Sequence, residues 1–321
     1  MWTPEVTYTF GVQVMRNRIL EIAEHPARLR AERRQLIIDT GGVLARVPFE
    51  DLAVLVVAHP QVSYTQAVLN ELIAAGGAFL TCDERRMPSG LLLPLDGNVV
   101  QTERFQKQVQ LTAPRRKQLW RQLIRSKVRM QSLLLLERQG TDHGIGRLVS
   151  VIRSGDPGNV EAQAARRYWS SLFGSDFRRD REAADHNRLL NYGYAVLRAA
   201  TSRAIVASGL HPTIGLHHHN KYNSFCLADD LMEPYRPLVD RAVAGILDGL
   251  ESMPEITQLI RAELLGALTE PIRIQGENRS LFDALSRTAS SLVQCIVGES
   301  RELVLPEGFY DARSRTLSIG I

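Results

Sequence analysis

A chain of 321 residues that is 44% hydrophobic has enough apolar material for a substantial core and is comfortable as two domains. It holds no apolar run of about 18 residues that could span a bilayer, and MWTPEVTYTFGVQVMRNRIL lacks the layout of a secretory signal, so a cytoplasmic location with no membrane partner is expected. Three scattered cysteines, Cys82, Cys226 and Cys295, form no C-x-x-C pair, which argues against a disulfide framework or a zinc ribbon and for reduced, structural thiols.

Taken in chain order, VTYTFGVQV, RRQLIIDTGG, GGVLARVPFEDLAVLVVAHP, GAFLTCDE and GLLLPLDGN are β-rich runs set between turn signals. They predict a small strand-rich domain over residues 1–98. Within it, SYTQAVLNELIAAGG predicts one helix, capped by Ser63 and closed by Gly76 and Gly77. Gly97 and Asn98 mark a turn, and from residue 103 the periodicity becomes helical. The expected fold class is therefore α+β: a β-rich N-terminal domain, then a larger all-α domain over residues 103–321.

The net charge of +4 is mild, but its distribution is uneven. Between Arg104 and Arg138 ten basic residues face one acid, Glu137. Lys117, Arg121, Arg125 and Arg129 recur every four residues as a stripe, while Leu119 with Leu123, and Trp120 with Ile124 and Val128, form apolar faces. Such a ridge suits phosphate contacts, although a solvated helix face has a similar pattern. Acids are nearly absent, which favours DNA or RNA, because solvated faces usually mix signs.

The stretch GLHHHNKYNSFCLADDLMEPYRPLVD concentrates the chemistry. A helix starting near Ser224 would put Asp230 and Glu233 on one face and Leu227, Leu231 and Leu238 on another. Pro234 and Pro237 remove the hydrogen bonds to the carbonyls of Asp230 and Glu233, so kinks are expected there. Upstream, in SGDPGNVEAQAARRYWSSLFG, a helix capped by Asn159 would place Glu161 in line with Ala164, Ala165 and Tyr168 on its core side. A buried carboxylate needs a partner or a metal. His, Asp and Glu without Cys suit magnesium or manganese better than structural zinc. A surface histidine turn and a salt-bridged acid pair are the bland alternatives.

Together GDPGNVEAQAARRYWSSLFG and GLHHHNKYNSFCLADDLMEPYRPLVD resemble the CRISPR-associated adaptation integrase/endonuclease family, which inserts new spacers into CRISPR arrays, most of all its type II form. The resemblance extends through EDLAVLVVAHPQVSYTQAVLNELIAAGGAFLTCDERRMPSGLLLPL and covers nearly the whole chain. It implies a β-rich N-terminal domain used for dimerisation and partner docking, and a helical catalytic domain. It also implies a divalent-metal site, Mg2+ or Mn2+, made by Glu161 in N-x-E-x-x-A-A, His218 in GLHHHN and Glu233 at the end of DLME. Asp230 is implied as an auxiliary acid. The extra His219 departs from the family pattern and leaves open which imidazole binds; His217, Tyr168, Arg236 and Asn223 are further candidates for the same pocket.

The family forms asymmetric homodimers, two of which flank a dimer of a small ferredoxin-like partner to give a heterohexamer on double-stranded prespacer and repeat DNA. The type II interference nuclease is a further possible partner. The expected activity is metal-dependent transesterification joining prespacer 3'-hydroxyls to the repeat, with hydrolysis when water attacks. The alternatives are a catalytically silent DNA-binding subunit of the same complex and a zinc hydrolase of small molecules. The tail LPEGFYDARSRTLSIGI, with Arg313 and Arg315, reads equally as a docking strand or a disordered end.

Overall fold

The computed structural model describes residues 18–180, 182–183, 185–250 and 256–310. VTYTFGVQV, Arg313 and Arg315 lie outside them. The N-terminal region runs β1 (Arg18–Ile22), β2 (Ala27–Glu32), β3 (Gln35–Asp39), β4 (Leu44–Pro48), β5 (Leu52–Val57), β6 (Val62–Tyr64), α1 (Gln66–Ala74), β7 (Ala78–Cys82) and β8 (Pro88–Leu92). One sheet has the order β1-β5-β7-β8, parallel except for the β7–β8 pair; the other has the order β4-β3-β2-β6. β5 is apolar and buried along its whole length, as a strand covered on both faces must be. Its alternate residues divide between two cores: Leu55 and Val57 pack with Leu29, Leu36, Val68 and Leu72, whereas Val54 and Val56 face the helical region.

Ser63 does not cap α1. It pairs with Arg28 inside β6, and Thr65 takes the cap position without a side-chain hydrogen bond. Gly76 adopts φ +76° just beyond the helix end, a conformation glycine enters without a Cβ penalty.

After β8 come α2 (Gln101–Gln110), α3 (Ala113–Gln139), α4 (Ile145–Val151), α5 (Val160–Phe173), α6 (Asn187–Ala207), α7 (Cys226–Met232), a 3-10 turn (Glu233–Tyr235), α8 (Arg236–Leu247) and α9 (Gln258–Ala267). β9 (Ile272–Ile274), β10 (Glu277–Arg279), α10 (Leu281–Val297) and β11 (Pro306–Phe309) complete the described chain. The α+β class therefore holds, with strands first and helices after. The helical region is not all-α, however, because β10-β9-β11 form a three-stranded sheet. Its central strand alternates buried Ile272 and Ile274 around exposed Arg273, a period-2 signal too short to stand out between helices.

The long α3 and the largely buried α6 frame the interior. A side chain at Gly193 would collide with Val239, so the glycine lets α6 and α8 approach closely. Chain direction changes where the prolines sit. Pro234 lies in the 3-10 turn, but Pro237 stands in the first turn of α8, where its missing N–H is not needed, so it opens a helix instead of making a second kink. Among the described residues no helix is long and apolar enough to cross a membrane.

Candidate metal centre

Glu161 is fixed by the way α5 begins. Asn159 is in the left-handed region at φ 48° and its side chain caps nothing; the cap is Asp156, whose carboxylate accepts from Val160 N at 3.0 Å and Glu161 N at 2.9 Å. An acid at this position satisfies two of the helix's free N–H groups and complements its dipole. The Glu161 side chain, 27% exposed, reaches Lys127 of α3, whose Nζ donates to Oε1 at 2.7 Å.

Glu233 enters from the other side, in the 3-10 turn. Its Oε2 is 2.7 Å from the same Lys127 Nζ, and Arg236 Nη2 is 3.1 Å from its Oε1. The Lys127–Glu233 contact is close but poorly aligned, so Oε2 is a buried oxygen beside a charge with no directed hydrogen bond. Burial pushes the Glu233 carboxyl up, but Arg236 and Lys127 outweigh it and hold the group down to about 2. Burial likewise depresses the Lys127 ammonium, and Glu233 with Glu161 more than reverse the effect. Both partners therefore favour their charged forms.

The histidine loop is organised by Asp230, which is fully buried. Its carboxylate accepts from the backbone N–H groups of Leu216 (2.6 Å), His217 (3.0 Å) and His218 (3.2 Å), and lies 2.6 Å from His218 Nδ1. Four donors on two oxygens make Nδ1 the protonated nitrogen of the neutral ring and leave the Nε2 lone pair outward, the arrangement that orients metal-binding histidines. The hydrogen bond to Asp230 also raises the His218 pKa against the opposing effect of burial. Gly215 is required here, because a side chain on it would strike the His218 carbonyl oxygen.

The three imidazoles thus have different surroundings. His217 stacks on buried Trp120 with centroids 4.2 Å apart and planes at 3°, and burial lowers its pKa. His219 Nδ1 is 2.5 Å from the His217 carbonyl. Asn223 donates to Asp229 at 2.7 Å, and Arg198 pairs with the other oxygen of that acid.

Tyr168 does not line an open pocket. It is fully buried, and its hydroxyl donates to Asp240 at 2.7 Å; Tyr194 donates to the other oxygen of Asp240. The basic stripe divides as well: Lys117 and Arg129 are exposed, Arg125 donates to the Val149 carbonyl at 3.1 Å, and Arg121 is half-buried with an Nε that has no hydrogen-bond partner. Much of the basic segment is used internally, with Arg104 on Ser208 O, Arg115 on Ser300 O, Arg116 on Val109 O, Lys107 on Glu103 and Arg138 on Asp248.

Lys127 and Trp120 are the site-builders that sequence reasoning missed. Lys127 is flanked at i−4, i−3, i+3 and i+4 by Leu123, Ile124, Met130 and Gln131, all buried. A lysine on a core line needs an internal counter-charge, and that is the signal which could have found it. The donor set suits a hard divalent cation, and Glu233 Oε2, which faces Lys127 at a poor hydrogen-bonding angle, is an oxygen that such an ion would serve. Glu161 and Glu233 are brought together; His218 is not gathered with them, since among the described residues no three His, Cys, Asp or Glu side chains converge at metal-binding spacing.

Comparison with known proteins adds family context. Residues 20–253 match the family model "CRISPR associated protein Cas1". The chain is 36% identical over 290 residues to the CRISPR-associated endonuclease Cas1 of Neisseria meningitidis serogroup C, covering 89% of this chain and 95% of that one. Among solved structures, a casposase bound to integration product superposes with a TM-score of 0.75 at 19% identity, covering 94% and 99% of the two chains. A Cas6-RT-Cas1–Cas2 complex gives 0.72 at 18% identity, covering 94% of this chain and 37% of that one.

Proposed function

The chain belongs to the Cas1 family of CRISPR-associated endonucleases, and from that premise we propose that it is a CRISPR adaptation integrase, a metal-dependent DNA transesterase and nuclease that joins prespacer 3'-hydroxyls to the array repeat. The observation that carries this reading is the meeting of Glu161 and Glu233, from separate elements, on one cation position. His218, whose Nδ1 is held by Asp230, is proposed as the third ligand, and the metal-free chain does not gather it with the two glutamates. Bound there, magnesium or manganese supplies Lewis acidity toward the scissile phosphodiester and its leaving oxygen.

Glu161 and Glu233 provide the negative charge that retains the ion, and Arg236 keeps Glu233 ionised and in place. The prespacer hydroxyl attacks in line at each end of the repeat, and water in its place gives hydrolysis. Exposed Lys117 and Arg129, with Arg121 and Arg125 beside them, contact the DNA backbone without reading sequence, which makes binding strongly salt-dependent. The assembly proposed with it is a homodimer through the β-rich region, paired with a small ferredoxin-like partner in a heterohexamer; family membership supports this reading, and a chain of a Cas6-RT-Cas1–Cas2 complex shares the fold.

A second reading, a catalytically silent DNA-binding subunit, is favoured by Lys127 standing between the two glutamates. One experiment separates them: integration of a 3'-hydroxyl duplex into a supercoiled plasmid carrying leader and repeat, with the small partner and Mn2+ or Mg2+. Glu161→Ala and His218→Ala should each lose strand transfer by at least about 100-fold while retaining DNA binding. Wild-type transfer no better than either variant would leave the silent subunit as the answer.

A further inference from the structure

Lys127 has a position that a mere surface partner for two acids would not need. Its neighbours Ser126 and Val128 are buried, its own side chain is 13% exposed, and its ammonium is 2.7 Å from a carboxylate oxygen of Glu161 on α5 and from one of Glu233 in the 3-10 turn. Glu233 has a second cation, Arg236, on its other oxygen. Yet the oxygen facing Lys127 meets the ammonium at 2.7 Å and at a poor hydrogen-bonding angle, so the lysine supplies more charge than direction there. An ion with several coordination directions would serve the same two oxygens better than one ammonium.

Resting on the metal-centre reading above, we propose that Lys127 is the resident counter-cation of the site. It holds Glu161 and Glu233 in register in the metal-free chain and competes with the divalent ion for them. An ammonium and a dication cannot share those two oxygens, because like charges at such spacing in a buried site repel strongly. Metal entry therefore displaces Lys127 from at least one glutamate, and the affinity of the site is set by the difference between the two cations. The exchange keeps both carboxylates neutralised before and after metal entry, which spares the fold an unpaired buried charge at Glu233.

The test uses the full chain and Mn2+ alone, with affinity read by isothermal calorimetry and stability by thermal melts with and without the ion. Lys127→Met should bind Mn2+ about tenfold more tightly than wild type, the ratio set by removing one competing ion pair of moderate strength. It should also melt lower without Mn2+ and gain a larger rise in melting temperature when the ion is added. Lys127→Arg keeps the competing charge and should bind as wild type does. Lys127→Gln carries the same comparison if the methionine variant does not fold. Equal or weaker Mn2+ binding by the uncharged variants, with wild type binding normally, would overturn the competition and leave the metal centre standing. No Mn2+ binding by wild type or any variant would overturn the metal centre, and the inference with it.

Discussion

Glu233 and Asp240 lie on the same stretch of chain, are 4% and 1% exposed, and have opposite fates. Burial alone pushes any carboxyl toward its neutral form. Around Glu233 stand Arg236 and Lys127, and the group is held at about 2; around Asp240 stand the hydroxyls of Tyr168 and Tyr194, and burial prevails at about 6 despite the nearby arginines. The first acid is kept charged and has an oxygen free of directed hydrogen bonds. The second has both oxygens occupied and braces α5, α6 and α8 against one another. A buried carboxylate is thus no sign of a reactive site in itself; the chemistry of the neighbours decides.

The comparison can be broken in several ways. The largest effect is expected from Glu233→Gln, which leaves Lys127 and Arg236 short of a buried counter-charge and should cost about 3–5 kcal/mol by chemical denaturation, whereas Asp240→Asn should stay within about 1 kcal/mol at neutral pH. Gly215→Ala forces the histidine loop away from Asp230 and should cost about 1–3 kcal/mol and weaken Mn2+ binding, with no effect on the tyrosine brace. Tyr168→Phe withdraws one donor from Asp240 and should cost about 1–2 kcal/mol while Mn2+ affinity is unchanged.

The smallest effect is the pH dependence, where the two acids act in opposite senses. The Glu233 carboxyl, below its usual 4.5, contributes stability above pH 4.5 that is lost as pH falls through about 2. Asp240, raised from 3.8 to about 6, retains a proton in the folded chain that the unfolded chain releases, so its ionisation subtracts stability at neutral pH and its protonation returns it between pH 6 and 3.8. Relative to Asp240→Asn, wild type should gain about 1 kcal/mol in denaturation midpoint free energy between pH 7 and pH 5. A flat difference would mean that the Asp240 pKa is not raised.

How far the sequence discloses this depends on the kind of signal. The apolar run of β5 and the glycines after α1 were legible because they act locally. Glu161, His218 and Glu233 came from the resemblance, and the structure brings the two glutamates to a shared cation without gathering His218 to them. Asp156 displaced Asn159 as the α5 cap because a left-handed turn intervenes, and β6 took Ser63 because a distant strand pairs with it. Lys127 was hidden among many basic neighbours: a stripe counted every four residues along α3 selects the outer face, whereas the lysine that matters lies on the inner one. The buried line around Lys127 marks it as needing a counter-charge, but which acids supply that charge is set by helix packing, which no local pattern records.

If Glu233 binds metal and the tyrosine-braced Asp240 does not, Mn2+ calorimetry on wild type, Glu233→Gln and Asp240→Asn separates the two acids. Glu233→Gln should bind at least about tenfold more weakly, and Asp240→Asn should bind as wild type does. Equal affinities in all three, or an equal loss in both variants, would contradict that division.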